Sequence, residues 1–75
     1  MTEYLLTFSG DGEYVNQYTL LATDHKDVLD QIKKELKSYY GAGYRWLEVS
    51  NTSDPLDFNE YRITRTGRCI YQDIA

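Results

Sequence analysis

The chain has one cysteine, one histidine, one proline, one methionine and one tryptophan among 75 residues. Each scarcity excludes something. A lone thiol, Cys69, makes no internal disulfide, no cysteine-based zinc site and no redox pair. It sits in the apolar stretch Cys69-Ile70-Tyr71, so a packed thiol is expected. A lone imidazole, His25, has no neighbour in the sequence that would complete a nucleophile–base arrangement. Ser9, Ser38, Ser50 and Ser53 lie in no nucleophile motif. At the start of a helix, His25 reads as a solvated surface residue. Asp24 and Asp27 beside it do not converge on one metal-binding point. No apolar run approaches the roughly 20 residues of a membrane span. Met1-Thr2-Glu3-Tyr4 lacks the basic and apolar regions of a signal peptide, so a cytoplasmic location is expected. Positive charge is also short. The net charge is −4, and non-specific nucleic-acid binding needs lysine and arginine to neutralise phosphates. Direct nucleic-acid binding is therefore not expected. No cofactor motif is present. Gly10-Asp11-Gly12 lacks the lysine and the following helix of a phosphate loop. Asp54, Asp57 and Glu60 lack the glycine and terminal glutamate of a calcium loop, and read as a solvated acidic loop.

Tyrosine is abundant, with eight residues. Tyrosine and tryptophan supply large, stiff, amphipathic contact area at low entropic cost. Leu, Val, Ile and Phe together number 17, above the roughly 20% floor of folded chains, so one thin-cored domain over residues 1–75 is expected.

Extended segments run over Tyr4 to Phe8 and Tyr14 to Leu21, around the turn Ser9-Gly10-Asp11-Gly12, and read as a hairpin. Thr23-Asp24 offers a helix N-cap. Val28, Leu29, Ile32, Leu36 and Tyr39 or Tyr40 then draw one helical stripe. Gly41 and Gly43 end that helix. Tyr44 to Val49 alternates as a strand, with Leu47 and Val49 on one face and Tyr44, Trp46 and Glu48 on the other. The polar loop Ser50 to Pro55 follows, with Pro55 arguing against a central strand there. Tyr61 to Arg65 and Arg68 to Gln72 form a last hairpin around Thr66-Gly67. The expected fold is α+β: a five-stranded antiparallel sheet in the order ββαβββ, with one helix packed on one face.

One helix leaves the second sheet face open to solvent, a partner or another copy. Trp46, Tyr44 and some of Tyr4, Tyr14, Tyr18, Tyr61 and Tyr71 are expected there. Every lysine lies between Lys26 and Lys37, and every arginine between Arg45 and Arg68. Arginine is the better interface cation. Tyr44, Arg45, Trp46, Arg62 and Arg68 have the composition of a binding face. Asp11, Glu13, Asp54, Asp57 and Glu60 are candidate acids for a basic partner.

The segments Thr19-Leu20-Leu21-Ala22-Thr23, Arg45-Trp46-Leu47-Glu48-Val49 and Arg62-Ile63-Thr64-Arg65-Thr66-Gly67-Arg68, in this order of elements, resemble small phage-encoded anti-CRISPR inhibitors of the type I-F group. The resemblance implies a non-enzymatic inhibitor that blocks a nucleic-acid-binding surface on a host protein or ribonucleoprotein complex, acting as a monomer or homodimer. No contact residue is carried over from that group. Two other classes fit the composition: an antitoxin-like or regulatory interaction domain, and a small enzyme subunit or ligand-binding domain.

Overall fold

In the computed structural model, which describes residues 1–12 and 15–72, five strands form one antiparallel sheet. The elements are β1 (Thr2–Gly10), β2 (Val15–Ala22), α1 (His25–Ile32), α2 (Leu36–Gly41), β3 (Tyr44–Asn51), β4 (Asp54–Ile63) and β5 (Cys69–Gln72). The spatial order is β2-β1-β3-β4-β5. Tyr14, expected to start the second strand, and Glu13, a candidate acid, lie outside the described residues.

Alternation along the strands sets the core. Tyr4, Leu6 and Phe8 of β1 point to the same side as Leu47 and Val49 of β3 and Tyr61 and Ile63 of β4. There they meet Val28, Ile32 and Leu36 from the helices in one buried cluster. Leu6, Phe8, Val28, Leu47 and Val49 are completely enclosed. An aromatic group extends this core. Phe8 stacks on Tyr39 with ring centroids 3.9 Å apart, and Tyr44 meets both edge-on. Offset and edge-on ring pairs add to what burial alone contributes.

The helical segment departs from the expected single helix. It is two short helices, separated at Lys33, Lys34 and Glu35. Lys33 and Glu35 keep right-handed helical backbone angles. The Glu35 amide, however, donates to the Ile32 carbonyl at 2.9 Å, a bond that spans three residues rather than four. All three intervening side chains are charged and exposed, so no packing holds that turn. Ile32 and Leu36 anchor the chain on either side of it. Asp24 caps α1 as expected: its carboxylate accepts from the Asp27 amide at 2.8 Å. The Asp27 carboxylate reaches back to the Thr23 amide at 2.9 Å, a reciprocal arrangement that satisfies two end amides. Gly43, at φ 102°, turns the chain out of α2.

Two bulges correct the expected strand register. In β3, Ser9 faces Trp46 while Gly10 faces Tyr44, so Arg45 is an extra residue. A bulge of one residue moves everything before it to the opposite face. Tyr44 therefore joins the helix side and not the face of Trp46. In β4, Ser50 faces Phe58 while Asn51 faces Asp54, which leaves Pro55, Leu56 and Asp57 unmatched. The expected loop from Ser50 to Pro55 is thus a tight connection between strands. The expected acidic loop of Asp54, Asp57 and Glu60 is β4 itself. Pro55 sits in an interior strand because it lies in this bulge, beyond the segment that β5 pairs with.

Candidate functional site

The two helices cover one face. On the other, side chains from neighbouring strands fall into rows. One row is Thr19, Leu5, Ser50 and Phe58. The next is Gln17, Thr7, Glu48, Glu60 and Gln72. The third is Val15, Ser9, Trp46, Arg62 and Ile70. Leu21 and Glu3 continue the face beyond the first row. Two mixed bands carrying apolar groups therefore flank a wholly polar central row. Val15, Leu21, Phe58 and Ile70 are each between 43% and 57% exposed, so this face is wet apolar surface and not core.

In the middle of that face Glu48 stands directly opposite Glu60. Opposed residues on one sheet face have Cβ atoms about 5 Å apart, and like charges there are unfavourable. Among the described residues no cation lies within ion-pair distance of either carboxylate. Arg62 is the nearest cation by register, one pair further along; its guanidinium instead leans toward the Trp46 ring, with Cζ 5.8 Å from the centroid.

The other expected site residues are dispersed. Tyr44 packs with Phe8 and Tyr39. Arg45 is tied to the end of α2: its Nη1 donates to the carbonyls of Tyr40 and Tyr44 at 2.9 and 3.0 Å. Its guanidinium also lies 3.9 Å from the Tyr40 ring centroid, a cation–π contact. Arg45, Arg62 and Arg65 border a depression of about 330 Å³ at that end of the sheet. Arg68 lies elsewhere, beside Leu29, Asp30 and Lys33. Asp54 accepts from the Leu56 amide and stabilises the entry to β4. Trp46, Arg62 and Glu60 are the expected residues that share the open face.

The expectation for the tyrosines is corrected as well. Tyr4, Tyr18, Tyr44, Tyr61 and Tyr71 all stand on the helix face, and the open face carries only Trp46 and Phe58 as rings among the described residues. Burial raises the hydroxyl pKa of Tyr4, Tyr18 and Tyr61. These residues fill the core more than they touch solvent. Burial also pushes the Cys69 thiol up to about 11, the state of a packed and unreactive cysteine.

His25 is not the solvated residue expected from its position. Its side chain is 17% exposed and its Nε2 lies 2.8 Å from Asp57 Oδ1. Asn51 Nδ2 donates to the second Asp57 oxygen at 3.1 Å, and the Tyr4 ring lies against the imidazole. The hydrogen bonds from His25 and then Asn51 hold the Asp57 carboxyl below the usual carboxylate range. The His25 Nδ1 is enclosed without a partner among the described residues. This cluster pins the start of α1 to the β4 bulge. A separation of 32 positions between His25 and Asp57 hides it from any local motif.

No helix among the described residues is long and apolar enough to cross a membrane. No protein-family description, curated protein or solved structure matches the chain.

Proposed function

We propose that this chain is a small non-enzymatic binding protein that inhibits its partner by occupying a basic, nucleic-acid-binding surface. The observation that carries this reading is the Glu48–Glu60 pair, which no cation contacts at ion-pair distance among the described residues and which is set between the Trp46 and Phe58 rings on the uncovered sheet face. Two carboxylates opposite each other repel, and Arg62 offsets that repulsion only from one pair further along the sheet. A partner that brings a lysine or arginine between them relieves that repulsion on binding. The flanking apolar side chains supply contact area on either side of the acidic centre and exclude water from an ion pair formed there. An acidic centre on a chain of net charge −4 also speeds encounter with a basic surface and competes there with phosphates.

The partner proposed is a host protein or ribonucleoprotein of the CRISPR surveillance class, met in the cytoplasm of an infected cell. Support for that choice is the resemblance of the sequence segments and their expected order to small phage-encoded inhibitors, together with the acidic face. The test is plating of a CRISPR-targeted phage on cells with an active type I-F system that express the protein. Wild type raises plating efficiency, while Trp46→Ala and the Glu48→Lys/Glu60→Lys pair remove the gain with the fold intact by circular dichroism. Full immunity in cells making wild type would refute the partner. Protection that survives both variants would refute the face.

A further inference from the structure

A free strand edge is a template for another strand, and proteins usually blunt it with charge, proline or short length. Among the described residues β5 is blunted by length, at four residues. β2 is not: Val15–Ala22 runs eight residues with no charge and no proline.

The direction of its backbone groups follows from one hydrogen bond. The Glu3 carbonyl accepts from the Thr52 amide at 3.1 Å, on the β3 side of β1. In an antiparallel ladder both polar groups of a residue point the same way. Glu3 therefore faces β3, and its opposite number Leu21 turns its own amide and carbonyl outward. Gln31 Nε2 meets that Leu21 carbonyl at 2.8 Å, in agreement. By the two-residue period, Val15, Gln17 and Thr19 also present their backbone groups to the free edge.

We propose that β2 is a self-pairing edge: two copies of the chain join through antiparallel β2 strands about a two-fold axis at Tyr18, with Val15 opposite Leu21 and Gln17 opposite Thr19 of the mate. Three observations select this occupant and register. The outward residues 15, 17, 19 and 21 are symmetric about position 18, so all of them find partners, with about eight hydrogen bonds. The exposed large hydrophobics of the strand are Val15 and Leu21, and this register pairs them with each other. On the helix side the edge adjoins an open cleft of about 520 Å³ lined by Tyr18, Tyr39, Tyr44, Lys34 and Glu35, among others. The mate's Tyr18 and Leu20 extend over its mouth. Its charged rim, Lys34 and Glu35, is balanced, so an isologous copy can answer each charge with the opposite one. Two chains of net charge −4 thus meet along a line free of like-charge contact. Gln31 is displaced from the Leu21 carbonyl on pairing. The inference does not depend on the function proposed for the open face.

Sedimentation equilibrium from micromolar to millimolar protein tests it, with circular dichroism to verify folding. Wild type dimerises. Gln17→Lys/Thr19→Lys, two exposed positions, sets lysine against lysine in this register and yields monomer. Gln17→Lys/Thr19→Glu sets lysine against glutamate and restores the dimer. A wild type that stays monomeric throughout, including one that instead takes up an unrelated strand peptide, overturns the proposal. So does a lysine–lysine variant that still dimerises, or a folded lysine–glutamate variant that does not.

Discussion

The opposed glutamates permit a quantitative test of the open face that needs no partner. Two unit charges about 5 Å apart in water repel by roughly 0.8 kcal/mol, and opposite charges about 7 Å apart attract by roughly 0.6 kcal/mol. Glu48 and Glu60 each feel the first from one another. Each feels the second from Arg62, which lies diagonal to Glu48 and next on the same face to Glu60. Glu48→Gln or Glu60→Gln alone therefore loses about as much attraction as repulsion, and stability rises by only about 0.2 kcal/mol. The double variant removes one repulsion and two attractions, and stability falls by about 0.4 kcal/mol. The cycle thus carries an unfavourable coupling of about 0.8 kcal/mol at low ionic strength, shrinking by about half near 0.15 M salt. Urea unfolding of the four proteins at both salt concentrations measures it. Zero coupling, favourable coupling, or a coupling indifferent to salt would show that the carboxylates do not confront each other, and the reason for expecting a basic partner would go with it.

Three further outcomes follow from packing and titration. Ile32→Ala, at a site 2% exposed, is expected to lower unfolding free energy by about 2–5 kcal/mol, through lost burial and the cavity left behind; near-wild-type urea stability would mean that the helix stripe does not fill the core. Tyr44→Ala is expected to cost roughly 2 kcal/mol, less than a fully buried ring, because Tyr44 supports Phe8 and Tyr39; a stable variant with lost partner binding would return Tyr44 to the interface. The depressed Asp57 carboxyl stabilises the fold above its unfolded value of 3.8, and that contribution disappears as pH falls through the folded value. The stability gap between wild type and Asp57→Asn is therefore open above about pH 4 and closes as pH falls further; a gap that widens below that pH would contradict the His25–Asp57–Asn51 linkage.

The α+β class and the five antiparallel strands were legible because periodicity is local. Val28, Ile32 and Leu36 repeat at helical spacing, and Leu47 and Val49 alternate. The capping pair Asp24 and Asp27 could likewise be read from adjacent residues. What escaped was set by inserted residues and by distance. The extra residue Arg45 turns Tyr44 from the open face to the core, and nothing in Tyr44-Arg45-Trp46 announces it. The Pro55–Asp57 bulge brings Glu60 opposite Glu48; continuing the Asn51–Asp54 register without it would set Asp57 there instead. His25 and Asp57 meet only because α1 crosses toward β4. The tyrosines misled for a chemical reason, since one ring serves equally well as core filler and as contact surface. In a chain of 75 residues with few large aliphatics, the core needed them.

Trp46 is the only tryptophan and stands on the face proposed for the partner, so 5-fluorotryptophan labelling gives a single fluorine resonance at the place in question. Titration with a type I-F surveillance complex is expected to shift and broaden that resonance, and Glu48→Lys/Glu60→Lys is expected to abolish the change. A resonance that stays sharp and unmoved in the presence of excess complex would contradict the account.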